Sequence, residues 1–97
     1  MADFKFDGRD LYDRKRVSNV AKMVGNHISV KGQYVADIDG KYIRIKGRRV
    51  AEWDGKTIRI NGRSVADERQ IERDIDCRDV DMNTIAMWVV MNTILAE

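Results

Sequence analysis

The chain has no proline, a single cysteine and a single histidine. Without proline, no β-run is demoted for want of a backbone N–H. A lone Cys77 excludes an intrachain disulfide. It also sits among acidic residues, which raise rather than lower a thiol pKa, so a buried or incidental thiol is expected rather than a nucleophile. His27 has no cysteine or carboxylate at ligand spacing, so no metal site is expected. No phosphate-cradling glycine loop, nucleophile elbow or zinc pattern is present. The chain therefore reads as a non-enzyme with no catalytic residue and no cofactor. The longest unbroken apolar run, Ile85 to Met91, is far short of the ~20 residues that cross a bilayer, so no membrane partner is expected. The first residues are charged, which predicts no secretion signal and a reducing, cytoplasmic location.

What is present is a repeat. From Val20 to Asp67 the frame Gly-Lys-x-Ile-Arg-Ile-x-Gly-Arg-x-Val-Ala-acidic returns with a fifteen-residue period. Gly25, Gly40 and Gly55 hold one phase, and Gly32, Gly47 and Gly62 hold another. Val-Ala recurs at Val20, Val35, Val50 and Val65. A short period with two fixed glycines describes a series of β-hairpins. Ile43-Arg44-Ile45 and Ile58-Arg59-Ile60 alternate with period two, as half-buried strands do. Each ends in a two-residue turn, Lys46-Gly47 or Asn61-Gly62, and Lys31-Gly32 takes the same place one repeat earlier. Asp7 to Ala21 reads as a degenerate first copy, two residues longer and without its turn glycine. Ile43, Ile45, Ile58, Ile60, Val35, Val50 and Val65 are the expected core.

After Ala66 the repeat stops. Ile71 and Ile75, four apart among charges, predict a short helix over residues 67–76. Asp79 or Asp81 can cap a second helix that runs to about Leu95. That helix is apolar on nearly every side and must be covered all round. A small hairpin body is expected to cover one side. The rest predicts a homo-oligomer, a dimer first, with Ile85, Trp88, Val89, Met91 and Leu95 at its interface. The organisation expected is a hairpin body over residues 1–66 and a helical segment over 67–97, in one compact α+β domain.

The net charge of +2 conceals an asymmetry. Residues 1–66 carry 15 Lys/Arg against 8 Asp/Glu, and residues 67–97 carry 3 against 8. A basic body followed by an acidic segment suggests neutralisation within the chain or between subunits at least as strongly as it suggests nucleic acid, and the sequence leaves open whether residues 67–81 lie on the basic face. Arg44, Arg59, Lys46, Arg49 and Arg63 make up a candidate basic face for an acidic protein or nucleic acid. An ordinary solvated face that discourages edge-to-edge aggregation is the simpler reading of the same charges. Tyr34, Tyr42 and Trp53 do not recur at equivalent positions, so the aromatic ladder of a single-strand binder is missing. Asp37, Glu52 and Asp67 share one repeat phase. Their like environments suit cross-strand ion pairs better than acid–base chemistry.

The frame in Leu11-Tyr12-Asp13-Arg14 with Val20-Ala21, in Gly40 to Ala51 and in Gly55 to Ala66 resembles the four-fold β-flower proteins, a small bacterial family. The resemblance covers about residues 7–67 and implies four hairpins around a pseudo-four-fold axis. It carries over no functional residue, and the segment after Ala66 has no counterpart in it. Fifteen-residue β-repeats also build trimeric shafts of some viral fibres, but two tight turns per repeat favour the flower. The function expected first is an oligomeric binding protein of bacterial or phage origin that contacts another protein, an inhibitor being one form. Nucleic-acid binding through the basic face and a structural, fibre-like role are the alternatives.

Overall fold

The computed structural model of the chain describes residues 2–96. Ten strands form one sheet. They are β1 (Phe4–Phe6), β2 (Asp10–Asp13), β3 (Ser18–Val24), β4 (His27–Val30), β5 (Gln33–Asp39), β6 (Tyr42–Ile45), β7 (Arg48–Trp53), β8 (Thr57–Ile60), β9 (Arg63–Asp67) and β10 (Ile75–Cys77). Helix α1 (Glu68–Asp74) lies between β9 and β10 in sequence, and α2 (Met82–Thr93) follows β10. Strands β1 to β9 are neighbours in chain order, and β10 adds outside β1. All pairings are antiparallel except β1 with β10. The fold is the expected α+β hairpin array with helices at its C-terminal end.

The four hairpins repeat in detail. Leu11, Ile28, Ile43 and Ile58 are fully buried and stand opposite Ala21, Ala36, Ala51 and Ala66. A register shift follows each one, at Leu11/Tyr12, Ile28/Ser29, Ile43/Arg44 and Ile58/Arg59. A bulge sharpens the local twist and bends its strand, so four bulges in phase bend the sheet in one sense. Laid flat, ten strands at ~4.8 Å spacing would span ~43 Å. The longest dimension of the molecule is 33 Å. The sheet is therefore curled.

The chain path shows what it curls around. β9 runs away from the turns at Lys31, Lys46 and Asn61, α1 returns toward them, and β10 leaves again. Helix α1 thus joins the two edge strands and packs on both. Helix α2 then runs back to the turn end, with Thr84 through Val90 buried without a break. A stretch of this length covers nearly two turns, so every side of the helix is enclosed. The sheet and α1 wrap α2, and the core is the helix together with the inner face of the hairpins.

Three expectations are corrected. Residues 67–76 are not one helix: α1 ends at Asp74, and Ile75–Cys77 pairs with Phe4–Phe6. A helix of two turns has little stability alone, and the open edge of β1 offers Ile75 a ladder that buries it equally well. The segment after residue 66 therefore contributes a strand to the hairpin body. Val65 is 47% exposed: β9 is an edge strand, and the helix that packs on it is the short α1. Ile43, Ile58 and Val35 are buried as expected, and Ile45, Ile60 and Val50 pack partly buried against the core.

Candidate binding surfaces

The outer face of the sheet carries one slot in each of the second, third and fourth hairpins, filled differently each time. His27 and Tyr34 meet edge to face with ring centroids 4.7 Å apart. Fifteen residues on, the Arg49 guanidinium lies 4.2 Å over the Tyr42 ring. Fifteen further, the Thr57 and Ser64 hydroxyls are 3.2 Å apart. The backbone brings the same two positions together in each repeat, and the side chains supply an aromatic pair, a cation–π pair and a hydrogen bond.

Beside the first slot, Asp37 is buried although it points to this face. It accepts a bond from the Tyr34 hydroxyl and two from Arg44, Nε at 2.7 Å and Nη2 at 3.2 Å. The Tyr34 hydroxyl and then the Arg44 guanidinium hold the Asp37 carboxyl below the usual carboxylate range. The same hydrogen bond pushes the Tyr34 phenol up. One carboxylate thus fixes both a tyrosine and an arginine in place. Asp37 occupies the position of Glu52 and Asp67, and as expected it serves an ion pair.

The five basic residues expected on one face divide into two sets. Arg44, Arg59 and Arg49 are each paired, with Asp37 at 2.7 Å, Asp54 at 3.2 Å and Asp39 at 3.7 Å. Lys46 and Arg63 lie at the turn end and pair with no described carboxylate. The masking carboxylates come from the hairpins themselves. From the acidic segment only Asp76 reaches a basic residue of the body, Arg14, among the described residues.

At the turn end, hairpins two and three and the last residues of α2 enclose a half-open groove of about 640 Å³. Its apolar lining is Val30, Val35, Ile45 and Val50 from the sheet, with Ile94 and Leu95 beyond α2. Its charged lining is Arg16, Lys31 and Lys46, with no carboxylate among the described residues. Lys31 and Lys46 are turn residues with positive φ, followed by Gly32 and Gly47 as in a type I′ turn.

Of the residues expected at an oligomer interface, Ile85, Trp88 and Val89 are buried inside the chain, which corrects that placement. The expectation took the hairpin body to cover one side of the helix; a curled sheet covers all of them. The Trp88 indole N–H donates to Asp74 at 2.8 Å, tying α2 to the last residue of α1. Met91 and Leu95 are half-buried at the turn end. Cys77 is half-buried, and burial with the carboxylates of Glu72 and Asp76 pushes its thiol up. No cluster of three metal-ligating side chains occurs among the described residues. Among the described residues no helix is long and apolar enough to cross a membrane.

Sequence reasoning missed Tyr34 and His27 as a pair and Lys31 and Arg16 as groove residues. Lys31 was open to detection, since it holds the frame position of Lys46. Comparison with known proteins finds no matching family model, no similar curated protein and no similar solved structure. The likeness to the β-flower repeats therefore rests on the residues of the frame alone.

Proposed function

We propose that this chain is a non-enzymatic binding protein that acts through protein–protein contacts on the outer face of β4 to β7. The observation that carries the reading is the contrast between the faces. The inner position is Leu, Ile, Ile and Ile through the four hairpins, while the outer slot changes chemistry from hairpin to hairpin. Inner positions answer to packing, and outer ones are free to answer to a partner. Tyrosine and arginine dominate interface energetics, and Tyr34, Tyr42, Arg44 and Arg49 cluster on this face. They are also held in advance by Asp37, Asp39 and each other, which reduces the ordering cost of binding. An inhibitor of a host or competitor system is one concrete form of such a protein. The test is affinity capture with wild type beside Tyr34→Ala/Arg49→Ala, with melting curves to establish that both are folded. A partner held by wild type and lost by the variant is expected; identical captures by both would sink the reading.

Nucleic-acid binding is the second reading. What favours it is the set of turn-end cations Lys46 and Arg63, whose charge no described carboxylate neutralises. It expects affinity that falls steeply with salt and weakens on Lys46→Asn/Arg63→Ala, and a salt-independent shift would remove it. Self-association is the third, restricted to a contact that includes Met91 and Leu95. A native mass of one chain in light scattering at high concentration would end it.

A further inference from the structure

We propose that the turn-end groove binds a single-chain amphiphilic anion, in its simplest form a free long-chain carboxylate. This is independent of the protein-binding reading, which concerns the outer face.

The size of the groove limits its occupant. A volume of about 640 Å³ lies in the range of small-molecule sites. A stable protein interface engages ~20–30 residues a side. The groove has 11 lining residues, so it is too small to seat a folded partner by itself. The lining is divided between apolar and cationic side chains. Six aliphatic side chains form the floor, with no aromatic and no carboxylate among the described lining residues. Such a surface suits a flexible alkyl chain, which needs contact rather than directed bonds. The rim is basic. Lys31 and Lys46 project from adjacent hairpin turns, and neither pairs with a described carboxylate. Arg16 is partly engaged, its Nε 3.7 Å from Asp13. Two unneutralised ammonium groups beside an aliphatic floor select an anionic head on an apolar tail.

The rim cations also stand by the C-terminal end of α2, whose own last turn has no basic residue. Cations there stabilise the negative end of a helix. That role alone predicts no ligand, and the experiment separates the two.

The fourth hairpin supplies the variant. It has Asn61-Gly62 where the second and third have Lys31-Gly32 and Lys46-Gly47, at the same positive φ. Lys31→Asn/Lys46→Asn therefore removes two charges without straining either turn. Dodecanoate is titrated into the full chain below its micelle concentration, and the methyl NMR signals of Val, Ile and Leu are followed. One saturable site is expected, with shifts at Val30, Val50 and Ile94 and none at enclosed Val89. Affinity should fall about tenfold or more in the double variant, from two lost charge–charge attractions. Val50→Phe, which fills the groove and leaves the charge intact, should abolish binding. The proposal is overturned by the absence of saturable binding, by equal binding of dodecyltrimethylammonium, or by affinity that neither variant changes. Binding to phosphatidylglycerol vesicles without binding of dodecanoate would overturn it in favour of a lipid surface.

Discussion

Val17 is the most exposed large apolar side chain described, at 71%, and its φ is +55°. It ends the four-residue turn of the first hairpin, directly before β3, where the other hairpins have Gly32, Gly47 and Gly62, and its φ matches that of Lys31, Lys46 and Asn61. In the left-handed region an L-residue is disfavoured by ~1–2 kcal/mol, and a β-branched side chain is worse placed than most. Asparagine tolerates the region, as Asn61 at +54° illustrates. Since little of Val17 is buried, its replacement forfeits little packing, and the backbone term should appear almost undiluted. Val17→Asn is expected to stabilise the fold by about 1 kcal/mol, which raises the melting temperature of a domain this size by ~4–8 °C. Val17→Gly should gain less, because glycine also loosens the unfolded chain by ~0.5–1 kcal/mol. Asn61→Val should lose about what Val17→Asn gains. Calorimetric melts of the three variants decide it. A Val17→Asn protein no more stable than wild type, or an indifferent Asn61→Val, would refute the argument that this turn is held against the preference of its residue.

Asp54 accepts the backbone N–H groups of Lys56 and Thr57, which hold its pKa at about 2. The folded value lies below the unfolded one, so its contribution is complete above pH ~4 and is lost as pH falls toward 2. A carboxyl NMR titration with a midpoint near 4 would contradict this. Ile43→Ala, at a fully buried position, should cost ~2–5 kcal/mol in denaturant unfolding. Val65→Ala, in the same repeat frame but exposed, should stay within ~0.5 kcal/mol; equal costs would mean that β9 is enclosed after all. Trp88→Phe deletes the donor to Asp74, and a hydrogen bond to a charged group puts the loss at ~2 kcal/mol. An unchanged midpoint would show that Gln70, which also donates to Asp74, is sufficient.

The hairpins were legible because a fifteen-residue period confines the choice: the turn dipeptides fix register, and alternation of Ile with Arg fixes the inner face. The second helix was legible too, since Asp81 caps it through Thr84 as its sequence suggests. β1 and β10 were not, because three residues are too few for a periodicity and their pairing spans most of the chain. The curl was hidden for a related reason. It arises from bulges, which add a residue to a strand without leaving a composition signal. Without the curl, the apolar circumference of α2 argued for a second copy; with it, Ile85, Trp88 and Val89 have their covering within one chain. The basic face failed differently. Arg44 and Arg59 were placed on one surface, but the carboxylates that engage them lie seven residues before Arg44 and five before Arg59, and no single offset reveals both.

The wrapped helix also bears on why the repeats differ outside and agree inside. Every hairpin must bend by the same amount to close on one cylinder, so the buried residue and the bulge after it cannot vary independently. Leu11, the one inner residue that is not isoleucine, belongs to the one hairpin with a lengthened turn. The departure is confined to the end of the array, where the hairpin has β1 and β10 on one side and another hairpin only on the other. Outside, nothing of the kind constrains the slot at residues 27 and 34, 42 and 49, or 57 and 64. Each slot needs only two side chains that meet across the hairpin, as an edge-to-face ring pair, a cation over a ring and a hydroxyl pair all do. Changes at the slots of residues 42 and 49 or 57 and 64 should therefore leave stability nearly intact, whereas changes at Ile28, Ile43 or Ile58 should not. A binding function on such an array can diverge without renegotiating the fold.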